Sequence, residues 1–257
     1  MKVIAVIPAR FGSSRFPGKP LAPLAGKPII EHVFERASMC SSLDDVIVAT
    51  DDRRILETVE GFGGKAVMTS VDHRSGSDRL GEAVKNLDAD IIVNIQGDEP
   101  LLESAVIEAV LEPMKATDPP DIATVAAPLT SMEDYLNPDV VKVLIDATGC
   151  AVYFSRSSIP HGWAPGMKGL RHIGIYAYLR ESLLRFVSLP ESYLESVEKL
   201  EQLRAIENGM RIDVIQIEDF TGIGVDRPED LEKAETMIKG GTDTADPGVR
   251  ESLKEGS

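Results

Sequence analysis

Three cations, Arg10, Arg15 and Lys19, fall within ten residues of the stretch IPARFGSSRFPGKPL, interleaved with Gly12, Ser13, Ser14 and Gly18. Small residues let a backbone come close to a ligand and present its N–H groups to it. Arginine grips two phosphate oxygens at once, and lysine acts as a point charge. The set could neutralise about the charge of a triphosphate. The spacing is not that of a P-loop, whose glycines and Lys-Ser/Thr pair sit at fixed positions. A solvated, turn-rich loop has the same composition, so composition leaves both possibilities open.

Carboxylates that could partner such a loop occur in two places. QGDEP places Asp98 just after an apolar run, where it could hold a divalent cation together with substrate phosphates. GVDRPEDLE supplies Asp226, which serves equally well as the cap of a proline-started helix. Four histidines are present without a metal-binding pair; His73 and His172 stand beside Arg74 and Arg171 and read as polar residues near the surface. Glu201 and Gln202, in LEQLR, read as a solvated helix face, and Trp163 as part of a turn. No nucleophile elbow is present. Cys40 and Cys150 are isolated, which offers neither a disulfide framework nor a zinc site and suits a reducing cytosol.

The elements that must position these residues follow from hydropathy. Residues 2–8, 45–51, 65–69, 89–98 and 121–127 read as short buried strands. Helices are expected over 28–37, 53–61, 80–87 and 104–115. This alternation predicts a doubly wound, mostly parallel α/β sheet. The motifs then fall at the carboxyl ends of strands, where open sheets of this kind bind ligands. The second half differs: 140–156 reads as a hairpin turning near Thr148 and Gly149, 171–179 as a half-buried strand, and 196–208 as an amphipathic helix. A late strand over 211–217 and a helix over 227–239 follow. Residues 240–257 lose apolar periodicity and read as a mobile tail after a single domain over 1–239.

With 257 residues, 43% of them hydrophobic, the chain can bury a substantial core. A formal net charge of -15 argues against a nucleic-acid partner. No apolar run approaches the roughly 20 residues of a spanning helix. The N-terminal run reads as a strand rather than a signal peptide.

Taken in order, IPARFGSSRFPGKPL, DHRSGSDRL, NIQGDEP, YFSR, RHIGIYAY, LEQLR and GVDRPEDLE resemble the 3-deoxy-manno-octulosonate (Kdo) cytidylyltransferases, the CMP-Kdo synthetases of lipopolysaccharide biosynthesis. The likeness extends over 1–239. The first motif has relatives among sialic-acid cytidylyltransferases; QGDEP, RHIGIY and LEQLR together mark the Kdo branch. The resemblance implies a nucleotide-diphospho-sugar transferase-like fold in a cytoplasmic, Mg²⁺-dependent homodimer that converts CTP and Kdo to CMP-Kdo and diphosphate. By the same resemblance Arg10, Ser13, Arg15, Lys19, Arg74, Ser75 and Gly76 would hold CTP. Asp98 and Asp226 would bind Mg²⁺, and Lys19, Arg15 and Asp98 would carry catalysis. Gln96, Arg156, His172, Tyr176, Glu201 and Gln202 would line the sugar pocket, with an inserted hairpin region over about 140–195 serving sugar binding and dimerisation. The segment between 158 and 169 is short beside some members. Cytidylyltransferases for 8-amino-Kdo or a sialic acid share the 2-keto acid substrate, and a catalytically silent nucleotide-binding protein on the same fold is the remaining alternative.

Overall fold

The computed structural model describes residues 1–12, 15–73, 75–218, 220 and 222–240. The expected tail therefore lies outside the described residues from 241 onward, as do Ser13 and Arg74. In chain order the elements are β1 (Val3–Ala9), β2 (Pro23–Leu24), β3 (Lys27–Pro28), α1 (Ile29–Ser38), β4 (Asp45–Thr50), α2 (Arg53–Gly61), β5 (Lys65–Met68), α3 (Gly76–Val84) and β6 (Ile91–Asn94). Then come α4 (Ser104–Leu111), β7 (Ile122–Pro128), α5 (Met132–Leu136), β8 (Lys142–Ile145), β9 (Ala151–Ser155) and β10 (Leu170–Leu179). The chain finishes with α6 (Arg180–Ser188), α7 (Tyr193–Glu198), α8 (Gln202–Glu207), β11 (Ile212–Gln216) and α9 (Pro228–Lys239).

The main path of the sheet runs β11-β7-β10-β6-β1-β4-β5. Every neighbouring pair on it is parallel except the two made by β10, which runs antiparallel to both β6 and β7. The β8–β9 hairpin extends the sheet from the start of β10. Alternation along β1 shows why these strands are apolar throughout: Val3, Ala5 and Ile7 enter one core, Ile4 and Val6 the other. The first core is covered by α1, α2, α4 and α9 residues such as Val33, Ile55, Ile107 and Ala234. The second is covered by Leu80 of α3, Phe186 of α6 and Leu203 of α8. Helices thus lie on both faces. The chain departs from β1 toward β4 on one side and adds β6 on the other, so the switch point lies between β1 and β6.

Several boundaries differ from the sequence expectation. Helix α3 begins at Gly76, not Leu80, because the Ser75 hydroxyl accepts a hydrogen bond from the Asp78 N–H at 3.1 Å and caps it there. The helix expected over 196–208 is two short ones, broken where Lys199 adopts a left-handed φ of 56°. Strand β6 stops at Asn94, which leaves 95–98 as a loop at the switch point. Helices α5 and α6 were not expected. Trp163 is buried against Leu129 and Tyr135 rather than marking a mere turn.

Candidate active site

The loop after β1 folds back on itself: the Gly18 N–H donates to the Phe11 carbonyl at 2.8 Å, with Gly18 at φ 75°. That turn delivers Lys19 to the switch point. The loop after β6 arrives beside it, because Gly97 has no side chain; a Cβ there would stand 2.9 Å from the Pro8 carbonyl oxygen. The third contributor is the segment before α9, tied down by the Val225 N–H donating to the Asp98 carbonyl at 2.8 Å.

Three motifs far apart in sequence therefore meet at one point. The Lys19 ammonium donates to Asp98 Oδ2 at 2.6 Å and to Asp226 Oδ1 at 3.1 Å. Arg15 Nη1 lies 3.2 Å from the other oxygen of Asp226. Asp226 does not cap α9: Asp230 accepts the Asp226 and Arg227 N–H bonds instead, and the Asp226 carboxylate is left to the cations. Beside this cluster Glu99 is pushed up to about pH 8, by burial first and then by the neighbouring charges of Asp98 and Asp226. The Glu99 carboxyl therefore stays protonated at neutral pH.

Around the cluster lies a cavity of about 320 Å³ whose wall includes Arg10, Arg15, Lys19, Ser75, Gly76 and Gln96, with Asp98, Glu201 and Asp226. Two polar lining residues, Arg79 and His73, were not expected at the site. Arg79, 3% exposed, is held by Asp51 at 2.6 Å and by the Thr69 hydroxyl. His73 is bonded to Glu82. A charged residue inside a helical pattern reads as solvated, and only the fold reveals Arg79 as buried.

A second cavity of about 250 Å³ adjoins the first and shares Gly76, Gln96 and Glu201 with it. Its character is different: Asn94, Tyr176, Tyr178, Phe186 and Gln202 supply uncharged polar and aromatic surface, with Lys199 and Glu201 the charged side-chain types in the lining. Burial raises the pKa of Glu201 and of both tyrosines. The wall is shaped by an irregularity in β10 between Ile173 and Tyr176. The buried Thr124 hydroxyl stabilises it by donating to the Ile175 carbonyl at 2.7 Å.

Two residues expected on the sugar side line neither cavity. His172 lies beneath the wall, its Nε2 2.9 Å from Thr124 Oγ1 and its ring against Phe154 and Tyr176. Part of its surface is accessible, yet loss of water around the imidazole pushes its pKa down to about 3, and it is neutral there. Arg156 is a strut: its Nε donates to the Glu198 carbonyl at 3.1 Å and its Nη1 to the Pro138 carbonyl at 3.1 Å. Those bonds turn the guanidinium toward the α7 end of the chain. Lys142, buried nearby, donates to three backbone carbonyls, those of Asn137, Val140 and Arg156.

The oxygen donors present suit a hard cation. Asp98 and Asp226 converge on one ammonium, and Mg²⁺ typically takes one or two carboxylates and completes its shell with phosphates and water. Among the described residues no group of three or more His, Cys, Asp or Glu side chains could hold a metal. The protein side of such a site therefore rests on these two carboxylates.

Comparison with known proteins bears on this geometry. A cytidylyltransferase family profile matches residues 4–212. A 3-deoxy-manno-octulosonate cytidylyltransferase of Trichlorobacter lovleyi is 47% identical over 253 residues, covering 94% of this chain and 100% of that protein. One from Thermodesulfovibrio yellowstonii is 50% identical over 253 residues, covering 93% of this chain and 98% of its own length. This chain belongs to the 3-deoxy-manno-octulosonate cytidylyltransferase family. A solved structure of CMP:2-keto-3-deoxy-manno-octonic acid synthetase complexed with CTP superposes with a TM-score of 0.89 at 44% identity, over 93% of this chain and 99% of that one. The nucleotide-diphospho-sugar transferase-like architecture of the family, with its antiparallel strand and hairpin, is the one found here. Among the described residues no helix is long and apolar enough to cross a membrane.

Proposed function

We propose that this chain transfers CMP from CTP to the C2 hydroxyl of Kdo and releases diphosphate. The observation that carries this is the adjacency of two unlike cavities, both lined by Gly76, Gln96 and Glu201. A charged cavity suited to a triphosphate lies beside one lined mostly by amides and phenols. A nucleotide sensor has no use for the second chamber.

CTP lies with its triphosphate along Arg10, Arg15 and Lys19, and its cytidine beside Ser75 and Gly76. Kdo occupies the second cavity against Gln96, Tyr176, Glu201 and Gln202. The C2 hydroxyl gives its proton to solvent as its oxygen attacks the α-phosphorus, forming the new P–O bond while the bond from the α-phosphorus to the bridging oxygen of the departing diphosphate breaks. Lys19 and Arg15 are catalytic: they counter charge that grows on the α-phosphate and on departing diphosphate, and preorganised cations of this kind supply much of an enzyme's rate. Asp98 and Asp226 would hold Mg²⁺, which would neutralise phosphate charge and make the attacking hydroxyl more acidic. Lys19 bridges these two carboxylates.

The protein works in the cytoplasm, where CTP is available, and as a homodimer. The exposed apolar side chains Val152 on the hairpin and Tyr193 and Val197 on α7 support that association. Scattering mass in solution tests it; a monomer at micromolar concentration contradicts it. The activity is tested by diphosphate release with CTP and Mg²⁺, with Kdo, 8-amino-Kdo and a sialic acid compared by kcat/KM. Kdo is expected to lead. Preference for a sialic acid contradicts the proposal.

A further inference from the structure

The second cavity contains two polar atoms that the protein leaves without hydrogen-bond partners. Asn94, 3% exposed at the end of β6, has an unpaired Oδ1. Gln202, 6% exposed at the start of α8, has an unpaired Nε2. Both side chains line the same cavity of about 250 Å³. Buried polar groups are nearly always paired, because leaving one unsatisfied is costly. Two such atoms in one small chamber, one an acceptor and one a donor, point to a ligand that completes them.

The placement of Asn94 explains why its carbonyl end is the free one. It stands directly opposite Tyr176 in the antiparallel β6–β10 pairing, so the two side chains share a face with Tyr178 two residues further along β10. Ser77 and Asn94 both lie close enough to the Tyr178 phenol to act as polar neighbours that lower its pKa against the effect of burial. An amide that turns its NH₂ toward a phenol keeps its oxygen available.

We propose that Asn94 and Gln202 are specificity-determining residues that together read one hydroxyl of the sugar, which donates to Asn94 Oδ1 and accepts from Gln202 Nε2. This rests on the proposal that the cavity holds Kdo. Only a group that is both donor and acceptor satisfies the pair. A hydrogen in place of the hydroxyl satisfies neither atom. An ammonium donates to Asn94 but sets its charge against the Gln202 N–H. The pair therefore selects hydroxyl over amine at the position it reads. A site built to bond a hydroxyl rejects the analogue lacking it because its own buried groups are then unpaired. Asn94 is the new assignment here, a lone amide closing an otherwise apolar strand.

The test uses the full-length protein with CTP, Mg²⁺, Kdo and four analogues, each lacking one hydroxyl at C4, C5, C7 or C8. The parent is expected to lose ~10- to 100-fold in kcat/KM with one analogue, the cost of leaving a buried polar group unpaired. Asn94→Ala and Gln202→Ala should each lose a similar factor with Kdo, through KM for the sugar, with KM for CTP unchanged. Each should then accept that same analogue as well as Kdo. Asn94→Ser repeats the test if alanine impairs folding, and the parent series needs no variant. The inference is overturned if the parent treats all four analogues like Kdo. It is also overturned if the two variants relax at different positions or at none, or if KM for CTP rises with KM for Kdo. No diphosphate release from Kdo by the folded parent would instead remove the proposed function itself.

Discussion

The two halves of the site are built on different electrostatic plans. On the nucleotide side Arg15, Lys19, Asp98 and Asp226 are charged and mutually paired, and most of them are reachable by water. On the proposed sugar side the lining is mostly uncharged amides, phenols and apolar groups, with Lys199 and Glu201 among them, and two of its buried polar atoms are unpaired. A highly charged ligand suits a cluster of cations and carboxylates that already pair with one another. A polyol is met by fixed amides and phenols whose missing bonds describe its hydroxyls. The first plan supplies binding strength and rate; the second supplies selectivity.

The largest expected effect breaks the charged side. Asp98→Asn keeps the shape of the side chain and removes its charge, so kcat/KM should fall by about 10³-fold while the protein stays folded. Near-parental turnover in the folded variant would make Asp98 structural. The next concerns the support of the sugar side, where Glu195 and Arg204 form a buried bidentate pair, Arg204 Nε to Glu195 Oε2 at 2.8 Å and Nη2 to Oε1 at 2.5 Å. Arg204→Met leaves a buried carboxylate alone and should cost about 3 kcal/mol of stability by denaturant unfolding. A change near zero would show that water replaces the partner.

A smaller effect is expected at the junction. Gly97→Ala puts a Cβ against the Pro8 carbonyl, so the ends of β1 and β6 must part. A cost of about 2 kcal/mol in stability, with a rise in KM for CTP, is expected from melting and steady-state kinetics. A neutral variant would mean that the close approach of the two loops is not needed. A further effect is one of pH. The folded His172 has its pKa lowered to about 3, against an ordinary value of 6.5. Below pH 6.5 the unfolded chain takes up a proton that the folded one refuses, so stability is full above 6.5 and is lost as pH falls toward 3. His172→Phe should flatten that part of the melting temperature profile between pH 6.5 and 4. An unchanged slope would show that His172 titrates freely in the fold.

The same contrast governs what can be read from sequence. The charged side was legible because its residues stand in loops straight after apolar runs, where Arg10, Lys19 and Asp98 have no structural reason to be. Asp226 was ambiguous, since an aspartate before a proline-started helix has a capping role to fill; the fold gave that role to Asp230. The sugar side was legible only through family likeness. Asn94 sits inside the run IIVNI and reads as one more strand residue, and its neighbour Tyr178 comes from a strand 84 residues later. Arg79 looks solvated until its helix is seen to face Asp51 and Thr69. The break at Lys199 carries neither glycine nor proline, so nothing local announces that Glu201 and Gln202 belong to a separate helix turned toward the cavity.

The central claim is that the charged chamber and the amide- and phenol-lined chamber serve one reaction. Purified protein is incubated with CTP and Mg²⁺, with and without Kdo, and diphosphate and CMP-sugar are quantified together. Equal amounts of diphosphate and CMP-Kdo, formed only when Kdo is present, are the predicted result. Folded protein that binds CTP yet forms neither product would contradict it.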